Sequence, residues 1–374
     1  MLPKTFNNML TAPPFWDQRN LLSRLLSYAL WPLALLYGWF CSLRNAAQDL
    51  HFAKAAPVPL IIVGNIRVGG TGKTPIVIAL ALQLKSLGWH PGIISRGYIN
   101  ASSKKKSAHH HATKLREAIE VTPRSDPAVV GDEPVLIAQK THGTIPIWVQ
   151  ANRRKSIAAL LNKNPQVNVI ISDDGLQNFG LPRWPAREGG RDIELVVRDS
   201  RGEGNGFLLP AGPLREPANR ERDATLMTSV EIDSATDPNY FLEQRAVYLS
   251  PEIGLAYSLN DHSLQYSLAD IAQMFAPTTI VAVAALGNPS RFFTCLKEHG
   301  LKPRTIALPD HSSFSSEFFT EIKAECILIT EKDAVKCRHI ADERIWVVPM
   351  KVTLSTDFMN WVTSIISRPD PRQK

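Results

Sequence analysis

Residues 60–75 read Leu60-Ile61-Ile62-Val63-Gly64-Asn65-Ile66-Arg67-Val68-Gly69-Gly70-Thr71-Gly72-Lys73-Thr74-Pro75. Leu60–Val63 has the length and composition of a buried strand, and Pro75–Leu87 follows a helical pattern. Between them, glycines let backbone N–H groups curl around phosphate oxygens, and the helix N-terminus adds a favourable dipole. In such a loop Lys73 reaches the β- and γ-phosphates of a nucleotide, and the Thr74 hydroxyl ligates Mg²⁺. The fit to G-x-x-x-x-G-K-[ST] is incomplete, because Arg67 stands at the first glycine position. The Gly69-Gly70 pair makes the same cradle. Arg67, Val68, Gly69, Gly70, Thr71, Gly72, Lys73 and Thr74 are therefore the expected nucleotide-binding set.

A phosphate-binding loop also needs a carboxylate at the end of another strand to hold the metal. Val169-Ile170-Ile171-Ser172-Asp173-Asp174-Gly175 supplies two in tandem after an apolar run. One reaches the metal directly or through water, and the other orients its ligands; the sequence does not say which is which.

Further buried strands are expected at Gly92–Ser95, Ile145–Val149, Val167–Ser172 and Ile193–Val197, with helices at Glu133–Lys140 and Arg153–Leu161. Alternation of this kind implies an α/β fold of the P-loop type, a mostly parallel sheet with helices on both faces. The composition turns polar near Ile232–Asn239, after which Thr279–Ala284, Lys302–Ala307, Cys326–Thr330 and Ile345–Val348 read as strands of a smaller α/β domain. The expected organisation is an N-terminal segment (1–45), a P-loop domain (46–240) and a C-terminal domain (241–374). The Lys/His run at Ala101–Thr113 reads as a solvated loop, since no acidic or Cys partner stands near His109–His111.

With 374 residues, 44% hydrophobic and 21% charged, the chain is neither disordered nor fibrous. Its charge of +7 favours an anionic partner without choosing among nucleic acid, membrane and phosphorylated substrate. The four cysteines form no Cys-x-x-Cys pair, and a reducing compartment suits them. Leu25–Leu43 is an uncharged run interrupted by Pro32, near the minimum length for a membrane span. Leu22, Leu25, Leu26, Ala29, Leu30 and Leu33 follow helical spacing, and Phe15, Trp16, Tyr28, Trp31, Tyr37, Trp39 and Phe40 suit a headgroup boundary. An interfacial anchor is the expectation, with a buried helix on the main domain as the alternative.

The pieces VGNIRVGGTGKTP (63–75), SRGY (95–98), GDEP (131–134), SDDGLQ (172–177), RGEGNGFLLPAGPLREP (201–217), PDH (309–311) and TEKDAVK (330–336) together resemble the tetraacyldisaccharide 4′-kinase family, the lipid A kinases of Gram-negative bacteria. The likeness covers nearly the whole chain. It implies transfer of the γ-phosphate of ATP, with Mg²⁺, to the 4′-hydroxyl of an acylated glucosamine disaccharide 1-phosphate. It also implies work at the cytoplasmic face of the inner membrane, as a monomer, and accounts for the +7 without nucleic acid. Asp132 matches the family's acidic residue beside the transferred phosphate and His311 the histidine acting with it, a pair that accepts the hydroxyl proton as the smaller domain closes the cleft. Taken without the family, a helix N-cap before Glu133-Pro134 is the alternative reading of Asp132, and His311 reads first as a satisfied surface histidine. By the same likeness Glu216 belongs to the metal or nucleotide site, Arg215 is a structural or phosphate contact, and Arg153 suits phosphate charge. Asn178, where the family commonly has His, and Asn152, where Asp is common, depart from the pattern. A regulatory ATPase of the double-glycine type is the competing reading; it calls for Lys where Val68 stands and has no need of the 201–217 segment.

Overall fold

A computed structural model describes residues 13–18, 20–49, 56–97, 117–178, 180–228, 246–249 and 251–370. The Lys/His run and the polar junction at 232–239 lie outside them. The chain forms two units, one from 12–250 with 352–374, the other from 251–351.

In the first unit, strands β1 (Leu60–Gly64), β2 (Pro91–Ser95), β3 (Ile119–Val121), β4 (Ile147–Val149), β5 (Val169–Asp173), β6 (Ile193–Arg198), β7 (Ala224–Met227) and β8 (Ala246–Tyr248) make one sheet. Its order is β3-β4-β2-β5-β1-β6-β7-β8. Every pairing is parallel except β3 with β4. Helices α1 (Leu21–Asp49), α2 (Lys73–Ser86), α3 (Pro127–Val130), α4 (Asp132–Lys140) and α5 (Arg153–Lys163) accompany it. Leu60, Ile62, Ile94, Ile170 and Val196 pack with Ile157 and Leu160 of α5. The alternate residues Ile61, Val63, Ile93, Ile171 and Leu195 are also buried. Both faces are thus covered, which is why these strands read as continuous apolar runs. The register sets Val63 beside Asp173, so the phosphate loop and the tandem aspartates leave the same sheet edge. Gly64 is required there, because a Cβ would stand 2.6 Å from Leu176 Cγ.

Helix α1 spans 29 residues with Pro32 inside it. Among its described side chains Ser23, Ser27 and Ala34 are buried, a stripe of small residues that lets the helix approach the protein closely. Leu22, Leu25, Leu36, Trp39 and Phe40 are exposed. The alternative of a buried helix does not describe this segment, because its apolar face points away from the protein.

The second unit holds β9 (Pro251–Ile253), β10 (Ala256–Ser258), β11 (Gln265–Tyr266), β12 (Ile280–Ala284), β13 (Arg304–Ala307), β14 (Cys326–Thr330), β15 (Ile345–Val348) and β16 (Met350–Val352), with α6 (Leu268–Met274), α7 (Pro289–Glu298), α8 (Ser316–Thr320) and α9 (Glu331–Ala334). Its main sheet runs β11-β10-β15-β14-β12-β13. Ile280, Ala282, Cys326 and Leu328 pack with Phe292 and Leu296 of α7. Val281, Val283, Ile327 and Ile329 pack with Phe319 of α8 on the other face. After Lys351 the chain returns to the first unit, whereas the sequence reading carried the second domain to residue 374. Helix α10 (Thr356–Ile366) buries Phe358, Met359, Val362, Ile365 and Ile366 there. Beyond it, Arg368 donates to the Ala186 and Gly190 carbonyls, and Asp370 pairs with Arg191 at 2.8 Å.

Candidate active site

The phosphate loop joins the end of β1 to α2, which begins at Lys73. Gly69 (φ 102°) and Gly72 (φ 83°) occupy the left-handed region that side chains disfavour. Asn65, buried at the strand end, donates to the carbonyls of Arg67 (2.6 Å) and Gly69 (3.2 Å). Its Oδ1 accepts from Lys73 Nζ at 3.0 Å and from Arg215 Nη2. The 207–217 segment lies along the loop: Val68 N donates to Pro213 O at 2.9 Å, and Arg215 N to Ile66 O at 2.7 Å. Arg201 Nη2 donates to Gly70 O at 2.9 Å. Loop shape is therefore imposed from outside the motif.

The tandem aspartates have opposite surroundings. Asp173 ends β5, fully buried, and its Oδ2 accepts from Ser95 Oγ at 3.1 Å. Its Oδ1 is buried with no hydrogen-bond partner among the described residues. Burial first, then the Glu133 charge, push the Asp173 carboxyl up to about 7 despite Lys73. Asp174 has φ 50°, and its carboxylate sits 3.0 Å from Lys73 Nζ and 3.6 Å from Arg215 Nη1. Burial would raise it too, but Lys73 and Arg215 outweigh that and bring it down to about 2.

Arg153 lies beneath this turn. Nη2 donates to the carbonyls of Asp173 (2.9 Å) and Asp174 (3.4 Å), and Nη1 to Gln150 O at 3.4 Å. Burial pulls its pKa down to about 10 although both aspartates oppose that. The guanidinium thus braces the backbone of the carboxylate turn. Asn152, in place of the family's usual Asp, caps α5 by accepting from Arg154 N at 3.1 Å, as Asp would.

Glu216 is buried, and both oxygens are engaged: Oε1 accepts from Gln177 Nε2 (2.7 Å) and Oε2 from Arg220 Nε (2.5 Å). Gln177 also donates to Asn65 O at 3.0 Å. Arg220 reaches on to buried Glu194 at 2.9 Å, which also meets Arg183 (2.6 Å) and Arg187 (2.8 Å). Burial alone would raise the Glu194 pKa; Arg183, Arg220 and Arg187 hold it well below the usual carboxylate range. Through Gln177 this network links Glu216 to the Asn65 carbonyl.

Asp132 is the first residue of α4, buried, its Oδ1 accepting from Glu133 N at 3.0 Å; Gly131 occupies the cap position. The backbone of Asn178 closes the turn after the aspartates, its N–H donating to Gly175 O at 3.0 Å. In the second unit, His311 (φ 61°) sits with Nε2 3.8 Å from Asp310 Oδ2, and Asp310 meets Lys332 Nζ at 3.1 Å. Arg67 turns its guanidinium to Asp17, with Nη2 2.6 Å from Oδ2. Asn65, Ser95, Gln177, Glu133 and Arg220 were not singled out from the sequence. Asn65 and Ser95 carried a signal, as polar residues ending apolar strands.

The sequence profile of the Tetraacyldisaccharide-1-P 4′-kinase family matches residues 26–367. The tetraacyldisaccharide 4′-kinase of Polynucleobacter necessarius subsp. necessarius (strain STIR1) is 55% identical over 373 residues, 98% of each chain. That of Herminiimonas arsenicoxydans is 42% identical, covering 92% of this chain and 91% of the other. Among solved structures, LpxK from Aquifex aeolicus in complex with ATP is similar with a TM-score of 0.69 and 27% identity, over 92% of this chain and all of that one. With strand, phosphate loop, tandem aspartates and the 201–217 segment assembled at one sheet edge, the chain belongs to the tetraacyldisaccharide 4′-kinase family.

Proposed function

We propose that this protein transfers the γ-phosphate of ATP to the 4′-hydroxyl of tetraacyldisaccharide 1-phosphate, a step of lipid A biosynthesis. The observation that carries the proposal is Lys73 at the head of α2, its ammonium 3.0 Å from both Asn65 Oδ1 and Asp174 Oδ1. That cation, with the loop N–H groups, receives the terminal phosphates, and Arg215 beside it adds a second positive charge.

The residues present fit Mg²⁺. Thr74 and Asp173 offer oxygen donors, and the partnerless buried Oδ1 of Asp173 is an atom a hard cation would satisfy. When bound, the ion neutralises phosphate charge. Asp174 orients Lys73 and Arg215, and Glu216 supports the site through Gln177 instead of ligating metal. Asp132, buried at the head of α4, accepts the proton of the sugar hydroxyl as the bond to phosphorus forms, and the family resemblance gives His311 a part in the same step. Asp132→Ala and His311→Ala should each lower kcat about 10²–10⁴-fold, and the double variant should be about as slow as the worse single one; multiplying losses would make the two independent.

The outward apolar face of α1 rests in the cytoplasmic leaflet of the inner membrane, so a monomer takes its acylated acceptor from the bilayer. Incubating purified protein with ATP, Mg²⁺ and tetraacyldisaccharide 1-phosphate should yield a bisphosphorylated lipid by mass spectrometry, and none in EDTA. No product from the wild type with Mg²⁺ would overturn the proposal.

A further inference from the structure

We propose that Asp17 and Arg67 form a positioning strut that holds the phosphate-binding loop ready for nucleotide by tying it to the segment just ahead of the apolar helix. Both carboxylate oxygens of Asp17 accept from Arg67 Nη2, at 2.7 and 2.6 Å. Arg67 Nη1 donates to the carbonyls of Arg201 (3.2 Å) and Gly202 (3.3 Å). The head of this arginine is thus committed away from any phosphate, although it stands at the first position of the motif. Its side chain is 4% exposed.

The same contacts brace the loop at several points. The Arg67 carbonyl is held by Asn65 and the Gly70 carbonyl by Arg201, the residue whose own carbonyl Arg67 grips. On the other side of Asp17, Trp16 donates through Nε1 to Pro210 O at 3.2 Å and accepts at its carbonyl from Asn205 N at 2.8 Å. Gly204 sits so close that a Cβ there would stand 3.0 Å from Arg67 Nη1. Without Asp17 the buried guanidinium keeps its carbonyl partners but loses its counter-charge, a costly state that relaxes by moving Arg67 and the loop that carries it. The Arg67 side chain is therefore a positioning group, as is Asp17.

The inference rests on the proposed ATP binding, and its test reads loop order separately. Full-length protein is titrated with fluorescent mant-ATP, and hydrogen exchange is followed in peptides covering 66–74 and 254–351. Asp17→Ala and Arg67→Ala should each raise the mant-ATP Kd about tenfold. Because they break one strut, the double variant should be no weaker than the worse single one, and Asp17→Glu should recover most of the affinity. Exchange should rise in 66–74 and stay unchanged in 254–351. Loss of affinity in Arg67→Ala with unchanged or tighter binding in Asp17→Ala would overturn the strut and make Arg67 a phosphate ligand. A rise in exchange across both regions would overturn it as mere destabilisation. If the wild type binds no mant-ATP, the ATP reading fails, and exchange in 66–74 alone decides for or against the strut.

Discussion

Asp174 Oδ1 lies 3.0 Å from Lys73 Nζ, joining the end of β5 to the first residue of α2. The positive φ of Asp174 turns its carboxylate to this side, while Asp173, one residue earlier, meets Ser95. Lys73 of the phosphate loop is thus held by a carboxylate from the end of the neighbouring strand, and two adjacent, chemically identical residues have opposite surroundings.

Lys73→Ala should therefore lower phosphotransfer by about 10²–10³-fold or more, the scale for losing one preorganised electrostatic contact. Asp174→Asn should do less harm to folding than to kcat, because Lys73 and Arg215 lose the charge that orients them. Single-turnover rates at saturating ATP check both. Wild-type turnover in Lys73→Ala would remove this loop from the reaction.

Arg153→Met should act on the carboxylate turn and not on ATP affinity. It removes the charged donor's bond to the Asp173 carbonyl, worth roughly 1.5–3 kcal/mol, and a longer contact to that of Asp174. A lower Tm and a lower kcat with little change in the KM for ATP is the expected pattern. A selective rise in that KM would mean that Arg153 reaches phosphate after all.

Glu194 makes stability depend on acid pH. Its folded pKa is depressed below the ordinary value of 4.5, so its contribution is present above that value and is lost as pH falls through the folded one. Glu194→Gln leaves Arg183, Arg187 and Arg220 without their shared partner and should cost about 3 kcal/mol at pH 7. Urea unfolding at pH 7, 4 and 3 should show the gap between wild type and variant narrowing toward the lowest pH. A gap that stays constant would mean the charge contributes nothing.

Replacing Leu22, Leu25, Leu36 and Trp39 by Gln should release the protein from vesicles of anionic lipid while leaving mant-ATP binding intact. These side chains are mostly exposed, so the folded unit loses little by the exchange. Deleting residues 1–45 is a less specific test, since Tyr37 donates to Arg215 O at 3.0 Å and Asn205 to Ser27 Oγ at 2.8 Å. Truncation should weaken both membrane binding and the site. Full co-sedimentation of the Gln variant with vesicles would dismiss the anchor.

Strand–loop–helix order, the tandem aspartates and the buried strands were legible in the sequence because each is a local pattern. A fully covered strand is an unbroken apolar run, and a phosphate cradle is a few adjacent glycines before a lysine. Cys326–Thr330 and Ile345–Val348 end where their apolar runs end. Partner choice was not legible, because it is settled between residues far apart in the chain. Arg67 finds Asp17 fifty positions earlier, Arg153 finds the carbonyls after β5, and Glu216 meets Gln177. A charged side chain in a sequence reads as a potential ligand for phosphate or metal. Only the fold shows that burial has already assigned it a partner, since an unpaired buried charge would cost more than the site could gain. For the same reason α1 shows its apolar residues in the sequence but not their direction; the small-residue stripe Ser23, Ser27 and Ala34 takes the protein side, and Leu22, Leu25, Leu36 and Trp39 are turned out.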